Sequence, residues 1–95
     1  MAKDYSRDYT IVIVEDDPES VRMLTERLDS LAVLVIFNKT EEAFVYFSKG
    51  YKANLIIIDV FVHGSSMDGL ELCQKVRSIP DYTQTSILLH NSLGD

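Results

Sequence analysis

The chain has 95 residues, enough for one domain of ordinary size and too few for two. It is 46% hydrophobic and 25% charged, a composition typical of a folded globular chain. Nine basic and fifteen acidic side chains give a formal net charge of −6, which argues against direct binding of nucleic acid or of an anionic membrane. The single cysteine excludes an internal disulfide framework and is typical of a reducing compartment, so we expect a cytoplasmic protein.

Four short apolar runs rich in β-branched residues predict strands that are covered on both faces. They occupy residues 10–14, 32–37, 55–60 and 86–89. Segments with helical spacing of apolar residues separate these runs, so strands and helices alternate along the chain. This alternation predicts an α/β fold, a flavodoxin-like, doubly wound parallel sheet with the strand order 2-1-3-4 and helices on both faces.

Helix signals are clear in the first two crossovers. Asp17 precedes Pro18 in a typical helix start, so we expect Asp17 to be an N-cap rather than a metal ligand. Thr40 is predicted to cap the second helix in the same way. The inner face of the first helix is predicted at positions i, i+3, i+7 and i+10, which are Val21, Leu24, Leu28 and Leu31.

Acidic residues follow two strands that this order makes neighbours. Glu15 and Asp16 come directly after the first strand, and Asp59 lies near the end of the third. Adjacent strands are about 4.8 Å apart, so these carboxylates converge at the carboxyl edge of the sheet, where such folds bind ligands. Like charges at about 4 Å repel by roughly 4 kcal/mol, so we expect either raised pKa values or a bound cation. Oxygen ligands suit Mg²⁺, and a carboxylate beside such an ion can attack a phosphoryl group.

Three segments of the chain resemble a known family, the receiver domains of two-component response regulators, which have the CheY-like fold. They are residues 11–28 (IVIVEDDPESVRMLTERL), 55–60 (LIIIDV) and 67–77 (MDGLELCQKVR). The resemblance runs from about residue 11 to the end of the chain. It is carried by the combination of the acid pair, the strand-end aspartate, the Asp-Gly pair and the β-α order, since each motif alone is weak.

The resemblance implies specific roles for residues at the strand ends. Asp59 matches the aspartate that accepts the phosphoryl group. Mg²⁺ would be held by Glu15, Asp16, Asp59 and the backbone carbonyl of Phe61, with Asp16 as the acid that binds the ion directly and Glu15 as the acid that usually acts on it through water. The donor would be a sensor histidine kinase or a phosphotransfer protein, and the domain itself would be a phosphoacceptor rather than an enzyme.

Two positions depart from the pattern of these domains. The loop between the acceptor and the Asp-Gly pair is longer than usual, and His63 stands where proline is frequent. The switch hydroxyl at the end of the fourth strand aligns best with Asn91, whose amide can donate a hydrogen bond to a phosphoryl oxygen. Ser92 supplies the hydroxyl instead if the register slips by one residue.

The family pattern continues through a fourth helix, a fifth strand with a phosphate-pairing lysine, and a fifth helix. No lysine follows Lys75 in this sequence. We therefore expect residues 1–95 to form a receiver domain that is incomplete at its C-terminal end and without an output domain. Without the lysine, we expect phosphorylation of these residues alone to be slow or absent, even where a longer chain is competent. The fourth strand then has an open edge, which predicts self-association.

Two other functions stay open. One is a non-catalytic pseudo-receiver that acts as a protein–protein interaction module, favoured by the longer loop and by the asparagine at the switch position. The other, with less support, is a Mg²⁺-dependent phosphatase on a similar sheet. Structural roles are expected for several remaining polar residues: His63, Ser65 and Ser66 in a plain loop, His90 packed or hydrogen-bonded in the fourth strand, and Cys73 in the core.

Overall fold

The computed structural model describes residues 8–91, and within this range strands and helices alternate as the sequence predicts. The four strands are β1 (Thr10–Val14), β2 (Val33–Phe37), β3 (Leu55–Asp59) and β4 (Ser86–His90). The three α-helices are α1 (Pro18–Leu28), α2 (Thr40–Ser48) and α3 (Gly69–Arg77), and a short 3₁₀ turn covers Pro80–Tyr82. No helix between residues 8 and 91 combines the length and the apolar character needed to cross a membrane.

All strand pairs in the sheet are parallel, and the order is β2-β1-β3-β4. The predicted flavodoxin-like order is therefore confirmed. Strand β3 lies between β1 and β4, with Ile13 opposite Ile57 and Asp59 opposite His90. The carboxyl ends of these three strands consequently meet at one edge of the sheet, which is where ligands bind in such folds.

Each face of the sheet carries its own apolar core, because every residue of β1 is buried. On one face, Ile11, Ile13 and Ile57 pack with the half-buried Leu24 and Leu28 of α1. The opposite face packs against α2 and α3, and its buried cluster consists of Val12, Val14, Ala43, Phe47, Ile56, Ile58, Val62, Leu72, Val76 and Tyr82. Burial of both faces explains why the strands are continuous apolar runs rather than alternating ones.

Helix boundaries follow the sequence at α1 and differ from it at α2. Asp17 caps α1 as predicted, with its Oδ2 atom accepting a hydrogen bond from the Ser20 amide at 3.0 Å. The prediction for Thr40 is wrong, because Thr40 is the first residue of α2 and Lys39 occupies the N-cap position without a side-chain cap. The Thr40 hydroxyl instead donates to the Met67 carbonyl at 2.6 Å, so a contact with a distant loop outweighs the local capping preference.

Two apolar residues lie further from the core than the sequence predicts. Helix α1 ends at Leu28, so Leu31 falls beyond the inner stripe, and 62% of its surface is exposed. Cys73 is half-buried and packs against the larger cluster from its margin. In both cases the spacing is right for a helical face, but the helix or its neighbours do not extend far enough to cover the residue.

Candidate functional site

Glu15 extends β1 into the carboxyl edge of the sheet. Its amide donates to the Phe37 carbonyl at 2.9 Å, which continues the ladder with β2 by one residue. Its side chain is completely buried, and its Oε2 atom accepts a hydrogen bond from the Asp17 amide at 3.1 Å. The other carboxylate oxygen, Oε1, lies 3.1 Å from the Nε2 atom of His90. The chain therefore fixes both oxygens of Glu15 inside the fold.

Burial raises the pKa of the Glu15 carboxyl to about 7. The hydrogen bond from Asp17 opposes this effect, while a side-chain hydrogen bond with Asp59 and the negative charges of Asp59 and Asp16 add to it. Near neutral pH, about half of the metal-free molecules therefore carry a proton on Glu15. The sequence predicts either raised pKa values or a bound cation where these carboxylates lie close together, and the raised pKa of Glu15 agrees with the first.

Asp59 is the last residue of β3, and its side chain is completely buried. Its Oδ1 atom accepts a hydrogen bond from the Phe61 amide at 3.1 Å, which holds the carboxylate at the start of the β3–α3 loop. Gly69 begins α3 so close to this strand end that its amide donates to the Val60 carbonyl at 2.8 Å. The Asp-Gly pair therefore positions α3 directly against the backbone of the predicted phosphoacceptor.

His90 joins the two carboxylates, which the sequence analysis did not foresee. It ends β4 opposite Asp59, and one potential ligand atom from each of Glu15, Asp59 and His90 lies within 4.8 Å of the others. His90 lies in the fourth strand, as the sequence predicts. Its proximity to Glu15 and Asp59 was not predicted. The missing signal was the strand register, since strand four continues one residue beyond its predicted end.

Asp16 faces the loop that follows β3. Its Oδ2 atom accepts a hydrogen bond from the His63 amide at 3.1 Å and lies 3.0 Å from the Nδ1 atom of the His63 ring. Among the described residues, Asp16 is not one of the three whose side chains lie close enough to share a metal ion, which are Glu15, Asp59 and His90. Direct binding of Mg²⁺ by Asp16 therefore stays a prediction. His63 is a loop residue, as expected, and it ties the loop to the acidic edge of the sheet.

The other predicted site residues lie around this edge. Phe61 is exposed and contacts Asp59 through its amide, while metal binding by its carbonyl stays a prediction. Asn91 is exposed and directly follows β4, which places it beside the paired ends of β3 and β4. Ser92 lies outside the described residues. The structure thus brings Asn91 to the edge at which a phosphoryl contact is predicted.

The β3–α3 loop is fastened to the N-terminal end of α2, which the sequence analysis missed. The Oε2 atom of Glu41 accepts hydrogen bonds from the Ser66 amide and hydroxyl, both at 2.6 Å, and from the Met67 amide at 3.1 Å. The Thr40 amide donates to the Ser65 hydroxyl at 3.0 Å, and Lys39 donates to the Gly64 carbonyl at 3.2 Å. Ser65 and Ser66 are therefore anchors of the loop rather than plain loop residues.

This anchoring predicts an acid-sensitive contribution to stability. Hydrogen bonds from the Ser66 hydroxyl and from the backbone amides of Glu41, Ser66 and Met67 lower the pKa of the Glu41 carboxyl to about 2. Because this folded-state pKa lies below the ordinary value of 4.5, ionised Glu41 stabilises the fold above about pH 4.5. That stabilisation is lost as the pH falls from 4.5 towards 2.

Urea unfolding of Glu41→Gln at about pH 6 and about pH 3 measures this effect. We expect the variant to lose less stability than the wild type between the two pH values, because its side chain does not ionise. Glu42→Gln changes the next residue in the same helical turn and is expected to retain the wild-type pH dependence. An equal loss in wild type and Glu41→Gln would contradict the assignment.

The residues at the strand ends fit a divalent cation. Glu15 and Asp59 supply carboxylate oxygens, and His90 supplies a ring nitrogen. The Oε1 atom of Glu15 and the Nε2 atom of His90 are buried and make no hydrogen bond within the described part of the chain. Buried polar atoms are normally satisfied, so these two atoms and the Asp59 carboxylate are candidate ligands for a metal ion.

Known proteins with a similar sequence or fold include a response regulator and several receiver domains. No family model matches the chain. The heme response regulator HssR of Staphylococcus haemolyticus is 23% identical over 84 residues, which are 88% of this chain and 37% of that relative. The chain therefore spans little more than a third of the length of this curated relative.

Solved receiver domains superpose on most of the chain. The BeF₃-activated receiver domain of DrrB matches with a TM-score of 0.72 and 21% identity, covering 92% of this chain and 68% of that one. The receiver domain of the histidine kinase CKI1 from Arabidopsis thaliana, complexed with Mg²⁺ and BeF₃⁻, matches with a TM-score of 0.75 and 16% identity. That match covers 97% of this chain and 71% of the other.

The chain has the fold of a response regulator receiver domain. The resemblance predicted from the sequence is confirmed by the curated relative and by the structural matches together. In this receiver fold, Glu15 follows the first strand and Asp59 ends the third, at the edge where the sequence predicts phosphoryl chemistry.

Proposed function

We propose that this receiver domain accepts a phosphoryl group on Asp59 from a sensor histidine kinase or a phosphotransfer protein of a two-component pathway. The observation that carries the proposal is the convergence of Asp59 with Glu15 at the carboxyl end of adjacent parallel strands. A buried carboxylate cluster at this edge weakens the fold electrostatically, so its presence favours a chemical role over a structural one.

In the proposed reaction, a carboxylate oxygen of Asp59 attacks phosphorus and the bond from phosphorus to the donor nitrogen breaks. The product is an aspartyl phosphate and a neutral histidine on the donor. The Phe61 amide holds Oδ1 of Asp59 by its hydrogen bond and so fixes the orientation of the carboxylate. Asn91, next to the paired strand ends, is the proposed hydrogen-bond donor to the phosphoryl oxygens.

Mg²⁺ is the proposed cofactor, held by Glu15 and Asp59 with Asp16 and the Phe61 carbonyl as the further predicted ligands. When bound, the ion supplies positive charge that screens the carboxylates and the incoming phosphoryl oxygens. The Oδ2 atom of Asp16 contacts His63, so in this proposal the ion would be reached by Oδ1 of Asp16 or by a rearrangement of the contact with His63. Because Asp16 contacts His63, binding of the ion would also affect the loop that carries His63.

The loop offers a way to convert phosphorylation into a change of surface. Phe61, His63 and Ser66 help to line an open groove of about 340 Å³ beside the site. A phosphoryl group on Asp59 adds negative charge next to this loop, and added charge of that kind biases segments that have two arrangements. The partner that reads the groove would be a protein surface.

Mass spectrometry tests the proposed phosphoacceptor. The protein is incubated for hours with acetyl phosphate and Mg²⁺, and the intact mass is expected to rise by one phosphoryl group. Borohydride reduction converts an acyl phosphate on aspartate to homoserine, so peptide mapping after reduction is expected to locate the change at Asp59. A modification at any other residue, or none after prolonged incubation, would count against the proposal.

A non-catalytic interaction module is the second candidate. The contact of Asp16 with His63 favours it, because a predicted metal ligand is engaged by the protein itself. An amide NMR titration with Mg²⁺ separates the two functions. Shifts at the ends of β1 and β3 support the phosphoacceptor, whereas unchanged spectra at millimolar Mg²⁺ favour the module.

Self-association through β4 is the proposed additional contact. Within the described residues β4 pairs with β3 alone, and Leu88 is 55% exposed on its surface. Light scattering is expected to show concentration-dependent dimers, because an unpaired strand edge can pair with a second copy.

Two variants test this contact. Leu88→Lys is expected to shift the protein to monomer. Leu70→Lys, which charges the exposed surface of α3, is expected to leave the dimers intact. A monomer at every concentration would contradict the contact.

A further inference from the structure

The end of β4 adds a nitrogen donor to the two carboxylates. Residue 90 is opposite Asp59 in the parallel register, so the side chains of the two strand ends share one site. The three potential ligand atoms come from Glu15, Asp59 and His90, and all of them lie within 4.8 Å of one another. Two ligand atoms on one ion with bonds of about 2.0–2.2 Å are at most about 4.4 Å apart, a limit that the 3.1 Å between Glu15 and His90 meets and that Asp59 meets with small side-chain adjustments.

The spacing between Glu15 and His90 is the most informative distance in the cluster. Oε1 of Glu15 and Nε2 of His90 are 3.1 Å apart, yet they do not meet the directional requirements of a hydrogen bond. Two neighbouring ligands at right angles on one ion, each about 2.1 Å from it, are separated by about 3 Å. The two atoms form a direct carboxylate–imidazole contact in the metal-free chain, and their separation also fits two donors on a common cation.

Burial gives an independent reason to expect a ligand at this place. The Glu15 side chain is completely buried, and its Oε1 atom is unpartnered among the described residues. The Nε2 atom of His90 is buried and unpartnered in the same sense. Buried polar atoms are normally satisfied, so a bound ion that engages both atoms would give each of them a partner.

We propose that His90 is a metal ligand and that it makes this edge a mixed nitrogen and oxygen site, which binds Mn²⁺ or a similar divalent transition-metal ion in preference to Mg²⁺. Imidazole suits first-row transition ions such as Fe²⁺, Ni²⁺ and Zn²⁺ best, and Mn²⁺, the weakest binder of that series, still accepts it, whereas Mg²⁺ strongly favours oxygen. This inference rests on the proposed function for the role of the ion in phosphoryl transfer. The binding geometry itself depends on Glu15, Asp59 and His90 alone.

Pulsed electron paramagnetic resonance of the Mn²⁺-loaded protein tests the inference directly. The wild type is expected to show modulation from a directly bound ¹⁴N nucleus. His63→Gln removes the other histidine of the sequence and is expected to keep this signal. His90→Leu is expected to lose it, because leucine fills the space without a donor atom. Bound Mn²⁺ without nitrogen coupling in the wild type would overturn the inference, as would failure of Mn²⁺ to bind.

Calorimetric titration with Mn²⁺ and with Mg²⁺ measures the preference of the site for one ion over the other. His90→Leu is expected to weaken Mn²⁺ binding by on the order of tenfold or more, as for other lost metal-site contacts. Its Mg²⁺ binding is expected to change by less than about threefold, because Glu15 and Asp59 remain. Equal losses for both ions in a variant whose circular dichroism is unchanged would overturn the inference.

The outcome is separable from that of the proposed function. Nitrogen coupling in a protein that acetyl phosphate does not modify would support the metal site and count against phosphoacceptance. Modification of Asp59 in a protein whose bound Mn²⁺ lacks nitrogen coupling would support phosphoacceptance and overturn the role of His90. If His90→Leu fails to fold, the wild-type spectrum and the His63→Gln control still decide the question.

Discussion

Replacing Asp59 by asparagine is expected to abolish the addition of a phosphoryl group to the protein. The carboxamide has nearly the same shape as the carboxylate, and its oxygen can still accept the hydrogen bond from the Phe61 amide. It lacks the negative charge and the nucleophilic oxygen that attack phosphorus, so the loss is chemical rather than structural. Intact-mass analysis after incubation with acetyl phosphate and Mg²⁺ measures the effect.

The same substitution is expected to stabilise the metal-free fold. Asp59 is completely buried and raises the pKa of Glu15 through a hydrogen bond and through its charge. Removing that charge relieves the repulsion among the carboxylates, so urea unfolding of Asp59→Asn is expected to show a free energy at least equal to that of the wild type. Greater stability with lost phosphorylation is the combination typical of a functional buried charge.

Asp68→Asn is the matched control for this prediction. Asp68 caps α3 by accepting a hydrogen bond from the Glu71 amide at 2.8 Å, and asparagine is as good an N-cap as aspartate. The control therefore changes a nearby carboxylate to an amide without moving the helix. Phosphorylation at the wild-type level is expected in Asp68→Asn, and a wild-type adduct in Asp59→Asn would refute the assignment of the acceptor.

Substituting alanine for Gly69 is expected to cause the largest loss of stability among single changes near the site. A Cβ atom at this position would lie 2.0 Å from the Asp59 carbonyl oxygen and 2.8 Å from a methyl carbon of Ile58. The backbone of β3 cannot move away, because it is paired on both sides within the sheet. Overpacking of this kind typically costs 1–3 kcal/mol and occasionally more, so we expect a loss of about 3 kcal/mol in urea unfolding.

Gly64→Ala provides a control with the same change in composition. Gly64 has a φ of +78°, so alanine is strained there, and the nearest atom to its Cβ is the mobile end of Lys39. A cost of about 1 kcal/mol is expected, since a single left-handed residue carries a penalty of that order. Equal small losses in the two variants would mean that α3 does not need its close approach to Asp59.

The parts of the structure that depend on neighbouring residues could be predicted from the sequence. Continuous β-branched runs predicted the four strands, and the predicted cap at Asp17 acts within three residues of its own position. The parallel order then followed from the alternation of strands and helices, and it placed Glu15 and Asp59 at one edge. Local chemistry and one rule of topology were sufficient for this part of the site.

The remaining features depend on contacts between segments distant in sequence, which composition and spacing do not encode. His90 reaches Glu15 because β3 and β4 pair in one particular register and because β4 ends one residue later than its apolar run. Glu41 binds a loop that is 25 residues further along the chain, so a first-turn glutamate becomes an anchor. Thr40 gives up its local capping role to the same loop.

Fluorine NMR with beryllofluoride tests most directly whether this edge binds a divalent cation and presents Asp59 to phosphorus. Beryllofluoride mimics a phosphoryl group on a carboxylate, and the DrrB and CKI1 receiver domains were solved with it. We expect bound ¹⁹F resonances from the wild type when diamagnetic Mg²⁺ is present, with none after chelation and none from Asp59→Asn. Absence of bound resonances at saturating metal, or their persistence in Asp59→Asn, would contradict the proposed site.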